Sequence, residues 1–93
     1  MNKLTVLSEI HGLITYILEL PDSAFTSASK RKEIIEKLVE WYEAVAKDEE
    51  ASEIEEAYNE CAQVLAANIT DPAIVSRATG TVDNIKGDIQ PTP

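Results

Sequence analysis

Three basic residues stand side by side at Lys30, Arg31 and Lys32, in a chain whose formal net charge is −9. The hydroxyl side chains that precede them in the turn are Ser23, Thr26, Ser27 and Ser29. Cations in the first turn of a helix oppose the helix dipole, whereas an anion there accepts hydrogen bonds from free backbone N–H groups. These residues therefore predict a phosphate-binding site. The alternative is a solvated run of charge, balanced by Glu33 and Glu36.

Tyr16 is the aromatic residue that could complete a nucleotide site. It lies off the main apolar stripe of the first predicted helix, near the end of that helix. A helical hairpin would bring it toward the start of the second helix, beside the basic residues. The ring could then stack on a nucleobase while a cation binds the phosphate. A tyrosine at the edge of the core, with its hydroxyl in water, remains the alternative.

The sequence contains no complete set of catalytic residues. His11 is the single histidine, and the chain contains no nucleophile elbow, no HExxH motif and no glycine-rich phosphate loop. Carboxylates at helical spacing, such as Glu36, Glu40 and Glu43, indicate a solvent-facing surface. Cys61 is the single cysteine, so it forms no intrachain disulfide and is predicted to be a small core residue. We expect a binding protein rather than an enzyme, without a cofactor or a metal site.

Composition and charge limit the class of protein and its partners. Hydrophobic residues make up 44% of the 93 positions, and a chain of this size often gains apolar burial by oligomerising. Seventeen acidic residues against eight basic ones argue against binding to long nucleic acid and favour a basic protein partner or a solvated acidic surface. Glu9 and His11 interrupt the apolar N-terminal segment. We therefore expect no membrane span and no signal peptide, and place the protein in the cytoplasm.

The first predicted helix spans residues 5–20 and ends because Pro21 disfavours the helical conformation at Leu20. Its apolar stripe is unusually broad and comprises Leu4, Leu7, Ile10, Leu13, Ile14, Ile17 and Leu18. Such width predicts two neighbours, for example one helix from the same chain and one from another subunit.

Three further segments show helical spacing. The second helix follows the Ser/Thr-rich turn and should stop near Lys47. The third is predicted to begin at the Ser-x-x-Glu capping box of residues 52–55. Asp71 and Pro72 resemble an N-cap followed by proline at the first helical position. Gly80 leaves open whether the last segment is one helix or two short turns.

The predicted fold class is all-α, a helical hairpin plus one or two further helices in a small bundle that oligomerises. We expect a single helical domain over residues 1–89. Residues 90–93 form a predicted flexible tail, and Gly87 is expected to belong to the frayed end.

The hairpin resembles, from Leu20-Pro21-Asp22-Ser23 onwards, a module of small viral sponge proteins that defeat CBASS and Thoeris immunity. In that family an amphipathic helix ends in Leu-Pro-Asp-Ser. A polar turn with another serine follows, then a helix with a Thr-Lys pair and a tryptophan. Here Ser27 matches the second serine and Lys32 the lysine. Arg31 takes the threonine position, and Trp41 is displaced by a few residues.

The resemblance covers residues 12–46 and implies a phage anti-defence protein that binds a cyclic di- or trinucleotide without cleaving it. The site would lie between protomers of a homo-oligomer such as a hexamer. By this analogy Tyr16 stacks on a base. Arg31 or Lys32 holds a phosphate, and Ser27 adds a hydrogen bond.

Two other functions fit the sequence. An acidic protein–protein inhibitor, of the anti-CRISPR or immunity-protein type, would cover a basic host protein surface with its second and third helices. A structural or assembly bundle would bind no ligand at all.

Overall fold

The computed structural model describes residues 2–89, and amphipathic helices make up most of this part of the chain. Its elements in chain order are α1 (Lys3–Glu19), a 3-10 turn (Asp22–Ala24), α2 (Lys30–Ala46), α3 (Ala51–Asn68) and α4 (Pro72–Ile89). Each helix packs on the next and α4 returns to α1, so the predicted all-α bundle is confirmed. No β-strand occurs within residues 2–89, and none of the helices there has the length and apolar character needed to cross a membrane.

Local chemistry fixes the ends of α1. The Asn2 side chain caps the helix by accepting a hydrogen bond from the Thr5 N–H at 3.1 Å, and this cap moves the start earlier than predicted. At the other end Leu20 is extended (φ −70°, ψ 145°), as expected for a residue that precedes proline.

The core receives one apolar stripe from each helix. Trp41 of α2 and Tyr58 of α3 are the largest side chains in it and pack edge to face, with ring centroids 6.0 Å apart. The buried residues of α1 are Val6, Ile10, Leu13 and Ile17. The centre of the buried stripe is thus shifted from the predicted one, and Leu7 and Ile14 lie only half-buried at its edge.

Cys61 is fully buried in α3, which confirms its predicted place in the core. Its Sγ donates a hydrogen bond to the Lys37 carbonyl oxygen of α2 at 3.2 Å. Burial, with a smaller contribution from the charge of Glu60, raises the pKa of the thiol to about 12. The side chain therefore stays protonated and unreactive within the fold.

The start of α3 differs from the prediction. The helix begins at Ala51, so Ser52 lies inside it and the capping box is wrong; Glu50 precedes the helix without a side-chain cap. The preceding turn explains the change. Asp48 adopts φ 54°, and the Glu49 N–H donates to the Ala44 carbonyl at 3.0 Å, as in a Schellman ending. This tight turn returns the chain early enough for α3 to begin before Ser52.

The start of α4 follows the prediction. The Asp71 carboxylate accepts a hydrogen bond from the Ala73 N–H at 2.9 Å, and Pro72 occupies the first helical position. The helix then runs unbroken through Gly80, so the last segment is one helix rather than two short turns. It also includes Gly87, which therefore does not belong to a frayed end. The predicted flexible tail at 90–93 lies outside the described residues.

Candidate functional site

The turn that carries the predicted phosphate site is fixed to the opposite turn of the bundle. Phe25 forms an isolated antiparallel β-bridge with Ile69, which lies between α3 and α4. The Thr70 N–H donates to the Ala24 carbonyl at 2.9 Å, and the Thr70 hydroxyl lies 3.3 Å from the same oxygen. The backbone between α1 and α2 is therefore held in place. The side chains of Ser23, Thr26 and Ser27 are exposed on its outer surface.

Arg31 is engaged within this turn. Its Nη1 donates to the Asp22 carboxylate at 2.7 Å, and its Nη2 donates to the Leu20 carbonyl oxygen. The guanidinium also lies over the Phe25 ring, 4.8 Å from the centroid. Only 26% of the side chain is exposed, compared with 81% for Asp22. Arg31 therefore joins the end of α1 to the start of α2, and it would have to leave these partners to hold a phosphate.

The other members of the basic cluster face solvent. The Lys30 Nζ lies 3.0 Å from a Glu33 carboxylate oxygen, and the Ser27 hydroxyl lies 3.2 Å from that of Ser29. Ser29 is the N-cap residue of α2, but its side chain caps no backbone N–H. Lys32 is exposed and forms no ion pair with another residue of the 2–89 segment. Of the three basic residues, Lys32 is the one left to meet an anion.

Tyr16 lies against α4. The Arg77 guanidinium carbon is 5.1 Å from the centroid of the Tyr16 ring, at a distance typical of a cation–π contact. The two side chains border a groove of about 290 Å³ between α1 and α4. The groove is lined by Glu9, Gly12, Leu13, Tyr16, Arg77, Thr81 and Asn84. The cation that the structure brings to Tyr16 is thus Arg77, which the sequence analysis had not singled out.

A pair of carboxyl groups lies where α1 and α4 meet. Desolvation by burial, together with a hydrogen bond to Asp88 and the charge of Asp88, raises the pKa of Glu9 above its ordinary value of 4.5. Ring, guanidinium, amide, hydroxyl and carboxyl groups therefore surround one groove. Residues 2–89 contain no cluster of three or more His, Cys, Asp or Glu side chains placed to hold a metal ion. The groups that line the groove offer a ligand a ring face, a positive charge and hydrogen-bonding partners.

Asp88→Asn should stabilise the protein at neutral pH. The raised pKa means that folded Glu9 binds a proton more readily than unfolded Glu9 does, so this pair costs stability above its folded pKa. The cost shrinks as the pH falls through the folded pKa and disappears below 4.5, where Glu9 is protonated in both states. We expect a gain of up to about 0.5 kcal/mol at pH 7, which is typical of exposed charge pairs, and almost none near pH 4. Urea denaturation at both pH values measures it.

Asp83→Asn is the matched control, because Asp83 is an exposed acid on the same helix. It removes the same charge without touching Glu9. An equal gain from both variants, or a gain from Asp88→Asn that is unchanged at pH 4, would contradict the pairing.

A second and larger concavity follows the outer face of α3. It measures about 490 Å³ and is lined by Ser52, Glu55, Glu56, Asn59, Glu60 and Gln63. Nearby, a hydrogen bond with the Glu49 carboxyl, and then the charge of that group, raises the pKa of Glu53. Crowded carboxylates repel a phosphate and attract a cation. The smaller groove at Tyr16 is therefore the better candidate for a nucleotide, and the α3 surface the better candidate for a basic protein.

Comparisons with models of known protein families, with curated proteins and with solved structures found no match for this chain.

Proposed function

We propose that this chain binds and sequesters a cyclic oligonucleotide signal without cleaving it, as a viral sponge acting in the host cytoplasm. The observation that supports binding is the groove between α1 and α4, where Tyr16 and Arg77 lie together. A planar ring beside a guanidinium is a combination suited to a nucleotide, since the ring stacks on a base and the cation attracts a phosphate.

The groove has a size suited to part of such a ligand. Pockets for small molecules measure about 300–1,000 Å³, so a groove of about 290 Å³ accommodates one nucleoside. The base would stack at Tyr16, with the Asn84 amide available to bond its edge. The Thr81 hydroxyl donates to the Arg77 carbonyl at 3.0 Å, so its oxygen is available as an acceptor. The phosphate would lie on the Arg77 side, away from the Glu9 carboxyl. The remainder of a cyclic di- or trinucleotide would extend beyond the groove.

Arg77 of α4, rather than a member of the basic cluster, is the principal cation of this site. Arg31 has its own partners in the turn, whereas Arg77 is exposed and contacts the stacking ring directly. Lys32 is a separate candidate for binding a phosphate, because it is exposed and the start of α2 has no side-chain cap at Ser29.

Tyr16→Leu and Arg77→Gln should each weaken nucleotide binding about tenfold or more, since one stacked base contributes ~1–3 kcal/mol. Leucine preserves apolar packing at the partly buried position 16, so the fold should remain intact. Binding is measured by calorimetry and by thermal shift against cyclic di- and trinucleotides, with linear analogues for comparison. A ligand that binds only the native state raises the melting temperature.

Lys86→Gln provides the matched control, because it removes one charge from α4 outside the groove. Undiminished binding in both groove variants would show that the nucleotide does not bind in this groove. A third variant, Lys32→Gln, tests the start of α2, and loss of binding in this variant alone would place the site there. Wild-type protein that shows no shift with any cyclic nucleotide would overturn the proposed function.

The second candidate is an inhibitor that covers a basic host protein. The acidic concavity of α3 favours it, because Glu55, Glu56 and Glu60 line one surface. Electrostatic association of this kind weakens as salt screens the charges. Salt-sensitive capture of one basic protein, together with no response to any nucleotide, would favour the inhibitor over the sponge.

A further inference from the structure

Exposed apolar side chains gather on one face of the α1–α2 hairpin. The large hydrophobic residues most exposed within residues 2–89 are Leu4 at 79%, Leu18 at 56% and Val39 at 37%. They alternate with half-buried neighbours of the same two helices, namely Leu7, Ile14, Ile35 and Tyr42. We name these seven residues the hairpin face.

Helix geometry places the α1 residues and the α2 residues of the hairpin face on the same side of the molecule. The flank of α1 that meets α4 is occupied by Glu9 and Tyr16, which line the groove there. The flank of α2 that meets α3 carries Lys37, whose Nζ lies 3.4 Å from Glu60. With 3.6 residues per turn, the apolar rows fall on the opposite flank of each helix, so they border one shared surface.

The hairpin face is poor in negative charge. The acidic residues of α1 are Glu9, which faces α4, and Glu19, which lies outside the apolar row. On α2, Glu36 and Glu43 neighbour Val39 only along the outer edge of the face. Two copies of a chain with charge −9 repel each other, so an interface between them needs a surface of this kind.

We infer that the hairpin face is the interface of a homodimer, with α1 packed antiparallel against α1 of a second copy. Along α1 the residues Leu4, Leu7, His11, Ile14 and Leu18 recur at alternating steps of three and four, which is the spacing of a coiled-coil seam. A two-fold interface must be self-complementary. Alignment centred on His11 meets this requirement, because it places Leu4 against Leu18 of the partner subunit.

The dimensions of the molecule agree with this interface. A standard interface buries about 800 Å² per partner, and one long side of the molecule, 40 × 21 Å, is large enough for it when the interface covers the α2 residues of the hairpin face as well as α1. A polar residue in an otherwise apolar seam fixes its register, and His11 takes that position at the two-fold axis. The dimer does not depend on the proposed nucleotide binding. It also leaves the groove at Tyr16 open, because that groove lies on the other flank of α1.

Sedimentation equilibrium of the full chain tests the interface. Wild-type protein should be a dimer, and the double variant Leu4→Glu, Leu18→Glu should raise the dimer dissociation constant about tenfold or more, since it buries paired carboxylates in an apolar seam. The control Ala66→Glu, Ala67→Glu adds the same charge at exposed positions of α3 and should leave the dimer intact. Far-UV circular dichroism verifies that both variants stay helical. A wild-type monomer across the concentration range would overturn the inference.

Cysteine cross-linking tests the antiparallel alignment. His11→Cys should form a disulfide-linked dimer under mild oxidation, because it lies on the two-fold axis, while the buried Cys61 stays unreactive. Leu4→Cys should not link to itself but should link to Leu18→Cys when the two variants are mixed. Efficient self-linking of Leu4→Cys would indicate a parallel pair and contradict this alignment.

Discussion

Trp41→Ala should lower the free energy of unfolding by about 3–5 kcal/mol, the usual cost of truncating a large buried aromatic side chain. Trp41 is fully buried where α2 packs on α3, and it contacts the Tyr58 ring edge to face. The substitution removes apolar contact area and leaves a cavity that neighbouring helices fill only in part. Since native proteins have a total stability of about 5–15 kcal/mol, the variant should lose a large fraction of the stability of the fold.

Trp41→Phe is the matched comparison. It keeps an aromatic ring in the core and removes the indole Nε1–H, which is buried without a hydrogen-bond partner among the described residues. A donor left unsatisfied in the core is itself costly, so its removal offsets part of the lost volume. We expect a loss smaller than that of Trp41→Ala, because phenylalanine retains most of the aromatic volume and leaves a smaller cavity. Urea denaturation followed at 222 nm measures both variants, and equal losses in Trp41→Ala and Trp41→Phe would contradict this expectation, because the retained ring would then have preserved none of the packing.

Local sequence signals predicted the helices well because their causes are local. Pro21 ends α1 through its clash with the preceding residue, and the Asp71-Pro72 pair begins α4 through a cap and a preset backbone angle. The start of α3 was mispredicted because two local signals competed. Ser52 fits a capping box, but the turn at Asp48 needs a left-handed residue, which the pattern of apolar residues does not reveal.

The candidate site was harder to predict because its residues meet only in the tertiary fold. Tyr16 and Arg77 are far apart in the chain and come together since α4 closes the bundle against α1. Helical periodicity placed Tyr16 off the main stripe but gave no information about which neighbour it meets. If the last helix of a bundle is assumed to pack against the first, the basic residues of α4, Arg77 and Lys86, become candidate partners of Tyr16.

The apolar stripe of α1 is broader than packing against a single neighbouring helix requires. The prediction of two neighbours rested on Leu4, Leu13 and Leu18, which widen the stripe. Leu13 is buried in the core, whereas Leu4 and Leu18 are largely exposed in the described chain. Intramolecular packing accounts for the row from Val6 to Ile17. Packing within the chain does not account for the second row of α1, which has coiled-coil spacing. The homodimer is inferred from this row, which comprises Leu4, Leu7, His11, Ile14 and Leu18.

Arg31→Ala should lower the free energy of unfolding by about 2–3 kcal/mol, because charged hydrogen bonds contribute about 1.5–3 kcal/mol when partly shielded from water. The variant loses the bonds to Asp22 and to the Leu20 carbonyl, and the contact with the Phe25 ring. The exposure of Asp22 limits the value of the ion pair itself. Arg31→Lys should restore little, since one ammonium group lacks the planar fork that reaches both partners. Thermal and urea denaturation measure these losses.

Lys32→Ala distinguishes a structural role from a binding role within the same basic cluster. Lys32 is exposed and forms no ion pair with the other residues described, so its removal should change stability by less than about 0.5 kcal/mol. If the cluster binds phosphate, Lys32→Ala should reduce nucleotide affinity while the melting temperature without ligand stays constant. A stable Arg31→Ala variant that has lost nucleotide affinity would reverse this assignment. Arg31 would then be a ligand-binding residue, and its contacts within the turn would add little to the stability of the fold.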